Sequence, residues 1–170
     1  QHDGFIDVSS RLRKGTVFRV ILPHLVEENG TGTAEIQRDG QLLKGEGLIL
    51  LVDDEENLRK TTGEILENCG YSVITAADGK KGIELYKKRH KEISLVMMDM
   101  VMPNMGGRET FVQIRRLFPN MKVLLSSGYN KESQIEDLME KGCNGYILKP
   151  FDVATLSGKI DEVLKLPQKA

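Results

Sequence analysis

The sequence predicts an α/β fold, a doubly wound five-stranded parallel sheet with helices on both faces. Three observations predict it. From Gly47 onward, short apolar runs alternate five times with runs of helical period. Runs such as Gly47–Val52 and Ser94–Met98 are apolar along their length, as strands buried on both faces are. Acidic, hydroxyl and basic residues directly follow these runs, at the strand ends where ligands of open α/β sheets sit.

Each element follows from its residues. Gly47–Val52 is the first strand. Residues 56–68 then place Leu58, Thr62, Ile65 and Leu66 on one helical face, with Gly70 as the cap. Tyr71–Thr75 is the second strand, and Asp78–Arg89 a helix with Ile83 and Tyr86 inward. Ser94–Met98 is the third strand. Residues 107–118 line up Phe111, Ile114, Leu117 and Phe118 before Pro119 closes the helix. Lys122–Leu125 is the fourth strand, followed by a helix over 131–141 with Ile135, Leu138 and Met139. Asn144–Leu148 is the fifth. Asp152 caps a last helix that turns Leu156, Ile160, Val163 and Leu164 inward.

The stretch before Gly47 differs in composition. Residues 5–8 and 16–22 are rich in β-branched and aromatic residues, with a polar, basic connection from Ser9 to Gly15. This predicts a hairpin ended by Pro23. Residues 24–46 carry few apolar side chains and read as a linker.

Composition excludes several function classes. In 170 residues, 24 Lys and Arg balance 25 Asp and Glu, so no global attraction to nucleic acid or anionic lipid arises. No apolar run approaches the roughly 20 residues of a membrane helix, and no signal peptide is visible. Cys69 and Cys143 lack metal-ligand spacing and read as reduced thiols of a cytoplasmic protein. The chain begins at Gln1 rather than Met, which reads as a piece of a longer or processed protein.

The chemistry concentrates at the strand ends. Asp53 and Asp54 follow the first strand and Asp99 the third. If these strands are neighbours, three carboxylates meet. Acidic residues after strands are often solvated turn formers, which would account for Asp53, Asp54, Glu55 and Glu56 alone. Asp99, however, sits within Leu95-Val96-Met97-Met98-Asp99-Met100-Val101-Met102-Pro103, an apolar setting for a charge. Two like charges about 4–5 Å apart repel by roughly 3–4 kcal/mol at an effective dielectric near 20. That is large beside a total stability of about 5–15 kcal/mol. A hard cation removes the conflict, and carboxylates with waters and phosphate are how Mg²⁺ is usually held. Lys149 and Ser127 follow the fifth and fourth strands. A salt bridge for Lys149 and a turn for Ser127 are the plain alternatives. As a set, these groups suit phosphoryl transfer to a carboxylate nucleophile.

Four segments carry a resemblance: Leu51-Val52-Asp53-Asp54-Glu55, Met98-Asp99-Met100-Val101-Met102-Pro103, Ser126-Ser127-Gly128-Tyr129 and Gly145-Tyr146-Ile147-Leu148-Lys149-Pro150-Phe151. In order and spacing they resemble the receiver domains of response regulators and hybrid sensor kinases, over residues 47–168. The resemblance implies a flavodoxin-like sheet of order 2-1-3-4-5 and a cis Lys149–Pro150 bond. It implies that Asp99 accepts a phosphoryl group from a phosphohistidine of a kinase core or phosphotransfer domain. Asp54, Asp99 and the Val101 carbonyl would ligate Mg²⁺, with Asp53 acting through water. Ser127 and Lys149 would bind phosphoryl oxygens, and Ser127 with Tyr146 would form the switch. Gly106 departs from the Asp often found there in the family.

Residues 1–23, with His2-Asp3-Gly4-Phe5-Ile6-Asp7-Val8 and Gly15-Thr16-Val17-Phe18-Arg19-Val20-Ile21-Leu22-Pro23, resemble the final strands of a histidine-kinase ATPase domain. An arbitrary hairpin is the alternative. The order of parts then implies the C-terminal portion of a hybrid sensor histidine kinase. Nucleotide-binding boxes are not seen, so this chain itself is not expected to bind ATP or act as a kinase. Its expected chemistry is self-phosphorylation from a donor and autodephosphorylation, without nucleic-acid or membrane contact.

Two other functions are compatible with such a sheet. A receiver-like module that only binds partners fits poorly with the full acid set. An aspartate-based phosphatase usually shows Asp-x-Asp, whereas this chain has Asp53-Asp54-Glu55. No Gly-x-Gly-x-x-Gly follows the first strand to hold a nucleotide.

Overall fold

The computed structural model describes residues 4–21, 45–128 and 132–167. The chain divides into two compact units, residues 1–38 and 39–170. In the first, β1 (Phe5–Arg11) pairs antiparallel with β2 (Gly15–Ile21) in unbroken register from Phe5↔Ile21 to Arg11↔Gly15. The connection tightens to Leu12–Lys14, where Lys14 N–H donates to the Arg11 carbonyl at 2.9 Å. The pairing Ile6↔Val20 and Val8↔Phe18 puts four apolar side chains on one face, while Asp7↔Arg19 forms an ion pair on the other. Pro23 and residues 24–44 of the expected linker lie outside the described residues.

The second unit is the predicted α/β sandwich. Its elements run β3 (Leu48–Val52), α1 (Glu56–Asn68), β4 (Ser72–Ala76), α2 (Gly79–Arg89), β5 (Ile93–Asp99), α3 (Gly107–Leu117), β6 (Val123–Ser127), α4 (Glu132–Glu140), β7 (Gly145–Leu148) and α5 (Val153–Lys165). All five strands are parallel, in the order β4-β3-β5-β6-β7. Counted along this unit, that is the expected 2-1-3-4-5.

Strand periodicity divides the core in two. Leu50, Val52, Val96, Met98, Val123 and Leu125 point to one face, where α2, α3 and α4 cover them with Ile83, Tyr86, Phe111, Ile114 and Leu138. Ile49, Leu51, Leu95, Met97, Leu124 and Ile147 point to the other, beneath Leu66 of α1 and Leu156, Ile160 and Val163 of α5. Covering both faces makes the central strands wholly apolar, as expected from their continuous runs.

Three expected inward side chains face water: Leu58, Leu117 and Met139. Leu58 lies in the first turn of α1, ahead of the buried Thr62, Gly63 and Leu66. Leu117 ends α3, and the inward place passes to Phe118, whose ring packs edge-on to Tyr86 at 4.9 Å. Met139 follows the fully buried Leu138 and lies roughly 100° round the helix from it, toward solvent. Asp78 and Asp152 each accept a hydrogen bond from the backbone N–H three residues on, capping α2 and α5. Gly70, at φ +96°, ends α1 in the left-handed region.

Candidate phosphoacceptor site

The strand order sets β3 beside β5 and β5 beside β6, so the residues following them converge. Asp53 leaves β3 with its N–H still bonded to the Ala76 carbonyl at 3.1 Å. Its side chain is buried: Oδ1 accepts from the Glu55 N–H at 2.9 Å, and Oδ2 from Lys149 Nζ at 2.9 Å. Its own carbonyl accepts from the Arg59 guanidinium of α1 at 2.6 Å.

Asp99 is the last residue of β5, buried, with Oδ1 at 3.0 Å from the same Lys149 Nζ. Two carboxylates from separate strands thus share one ammonium. Burial holds the Asp99 carboxyl above the usual aspartate range. Lys149 and the Val101 backbone pull against that rise, and Asp53 adds to it. Burial works to lower the Lys149 ammonium, but its hydrogen bonds to Asp53 and Asp99 prevail and hold it above its ordinary value.

Lys149 is placed by the backbone. Its N–H donates to the Ser127 carbonyl at 2.8 Å, as the register Ser127↔Leu148 runs off the end of β7. Ser127 is buried at the carboxyl end of β6, one strand from Asp99. The Lys149–Pro150 bond is cis. Met100 N–H donates to the Ser126 carbonyl at 2.9 Å, fixing the start of the loop that carries Val101, an exposed residue.

Asp53, Asp99, Ser127 and Lys149 therefore occupy one end of the sheet. Asp54 lies there too but is exposed, and Tyr146 on β7 turns its ring outward. Among the described residues, no three His, Cys, Asp or Glu side chains gather closely enough to form a metal cluster by themselves. The donor set nevertheless fits a hard cation. Two buried carboxylates share a single ammonium, leaving excess negative charge among oxygen donors, which is the chemistry Mg²⁺ takes.

Two contributors escaped the sequence reading. Arg59 reaches back from α1 to the Asp53 carbonyl, and no local pattern announces a contact six residues away. Gly107 starts α3 hard against β5: its N–H donates to the Met100 carbonyl at 3.1 Å, and a Cβ there would overlap the Asp99 carbonyl. The Gly106-Gly107 pair was its available signal. Gly106 itself is the N-cap of α3.

Residues 49–161 match the response regulator receiver domain family. The chain is 31% identical over 171 residues to the sensor kinase CckA of Brucella abortus, an alignment covering 97% of this chain and 18% of that protein. It is 37% identical to the chemotaxis protein CheY of Treponema pallidum, over 69% of this chain and 82% of the relative. Among solved structures, the CheX–CheY–BeF3–Mg²⁺ complex from Borrelia burgdorferi aligns at a TM-score of 0.67 with 31% identity, covering 69% of this chain and 88% of the matched one. With the predicted sheet order, the convergent strand ends and a match spanning most of its length, this chain belongs to the response regulator receiver domain family.

Proposed function

We propose that Asp99 is the phosphoacceptor of this receiver domain. One observation carries the reading: a carboxylate buried at the end of β5 is held by an ammonium that a second acid also binds. Two buried acids with one ammonium between them leave a net negative charge, which is costly away from water. An Asp99 oxygen forms a bond to phosphorus as the bond to the donor's imidazole nitrogen breaks, and the departing imidazole keeps its electron pair. Lys149 Nζ, already at Asp99, turns to a phosphoryl oxygen, and Ser127 donates its hydroxyl to another. Asp54, Asp99 and the Val101 carbonyl would hold Mg²⁺, with Asp53 through water. When bound, the ion offsets the charge on the transferring phosphoryl oxygens.

The donor is a phosphohistidine of a histidine-kinase core or phosphotransfer domain. Residues 1–23 are the end of a kinase ATPase domain, 24–46 the linker and 47–168 the receiver. Similarity to a sensor kinase along 97% of the chain supports this order. So does the hairpin, whose apolar side chains are exposed and need cover that a two-stranded ribbon does not supply. No helix among the described residues is long and apolar enough to cross a membrane.

Intact mass after treatment with acetyl phosphate and Mg²⁺ tests the assignment. The wild type gains one phosphoryl group and Asp99→Asn none. Full phosphorylation of the Asn variant overturns it.

A further inference from the structure

We propose that the groove between α1 and α2 is a docking site for an acidic polypeptide segment, joined to the acid loop through Arg59. The groove encloses about 420 Å³ at the open edge of the sheet, beside β4. Its lining includes the cations Arg59, Lys81 and Lys88 and the apolar Ala77 and Leu85. Glu84 is the single acid in the lining.

Charge complementarity names the occupant. The chain as a whole is nearly neutral, with a net charge of −1. Yet α2, of sequence GKKGIELYKKR, holds five cations against one acid. Among the described residues, no carboxylate lies within ion-pair distance of Arg59 or Lys88, and Lys81 has only Asp78 at 3.7 Å. A lining that mixes three cations with a few apolar side chains suits acidic side chains spaced along an extended chain. The neighbouring edge strand has backbone groups available to such a chain. The lining offers no aromatic ring on which a base would stack, which disfavours single-stranded nucleic acid.

Arg59 gives the groove a consequence. Its guanidinium lines the groove and donates to the Asp53 carbonyl at 2.6 Å. A carboxylate entering the groove competes for that donor, and Asp53 is the residue that shares Lys149 with Asp99. The occupant is therefore sensed at the acid loop without touching it.

The test uses the full chain and a fluorescein-labelled peptide alternating Glu with Val, with duplex DNA of matched charge as comparator. Anisotropy should report peptide binding that weakens with salt. Binding should fall at least tenfold in Lys81→Glu/Lys88→Glu, whose exposed positions leave folding intact. Saturating peptide should shift the Asp53 and Glu55 amide resonances in wild type and leave them in place in Arg59→Gln. Absent binding, binding unaffected by charge reversal, or a preference for the duplex overturns the docking site. Unmoved Asp53 and Glu55 amides in peptide-saturated wild type overturn the link to the acid loop. Neither readout involves phosphorylation, so failure here is distinct from failure of the Asp99 assignment.

Discussion

Lys149 reaches Asp53, 96 residues earlier in the chain, and holds its Oδ2 at 2.9 Å while its Nζ also contacts Asp99. This ammonium is the only counter-charge shown for either buried acid among the described residues. Removing it leaves two carboxylates facing one another away from water. Lys149→Met should destabilise the domain by about 3 kcal/mol, the scale of a buried pair that loses one partner. Urea unfolding at neutral pH measures this, with the midpoint lowered and the slope unchanged. Added Mg²⁺ should return part of the loss by occupying the exposed excess of negative charge. A variant as stable as wild type without Mg²⁺ would show that Lys149 is not what reconciles the two acids.

Gly107 meets the site through backbone instead of charge. A methyl group there overlaps the Asp99 carbonyl, and neither backbone segment can yield as a flexible side chain would. Gly107→Ala should cost about 2 kcal/mol, within the range for overpacking. It should also slow phosphoryl acceptance by displacing the end of β5. Gly106→Ala is the control, because its added Cβ meets only ordinary contacts. Equal stability for the two variants would contradict this account.

These two residues mark where the sequence is legible. Periodicity places the five strands, because burial on both faces demands continuous apolar runs like Ile49–Val52. It also finds Asp99, whose apolar neighbours make its charge conspicuous. It does not separate Asp53 from Asp54: both follow β3, and only three-dimensional packing turns the first inward and leaves the second in water. Leu58 and Met139 mislead for a related reason. A helical stripe is read from spacing, whereas burial depends on where the sheet beneath the helix ends and on how the helix is turned upon it. Arg59 is invisible at this level because its contact is to a carbonyl, which any residue possesses.

Cys143 supplies a pH dependence away from the site. Its thiol is buried, with Sγ 3.3 Å from the Gly145 carbonyl. Burial pushes the thiol up, while the Gly145 backbone and Arg115 pull the other way without reversing it. Below an ordinary thiol value of about 8.5, both folded and unfolded chains keep the proton and this site leaves stability unchanged with pH. Above it the unfolded chain ionises first, so stability falls as pH rises toward the raised native value. Urea midpoints from pH 7 to 10 should fall more steeply for wild type than for Cys143→Ala. Parallel slopes would mean that the thiol ionises freely in the fold. In the same range, thiol reagents should label Cys143 only after unfolding, since its sulfur is enclosed.

The last prediction concerns how the phosphoryl signal leaves the site. Ser127 is buried at the end of β6 beside Asp99, and Tyr146 stands outward on the adjoining strand β7. The register joins them: Leu125↔Tyr146 and Ser127↔Leu148 are separated only by Ser126↔Ile147. Next to Ser127, Gly128 has open space where a side chain would sit. Phosphorylation adds about −1.5 to −2 charge and three acceptor oxygens at Asp99. In the proposed switch, the Ser127 hydroxyl should move toward those oxygens, the region it leaves should open, and the Tyr146 ring should turn inward to fill it. The competing picture keeps Tyr146 static and lets partners read the phosphate directly. Ser127→Ala separates the two. The variant should still accept the phosphoryl group, because Asp99, Asp53 and Lys149 remain. Its phosphorylation-induced resonance changes at Tyr146 and along residues 135–148 should shrink to a minor fraction of the wild-type values. If those resonances move as far in Ser127→Ala as in wild type, the hydroxyl is not the link between the phosphorylated acid and the outer face of β7.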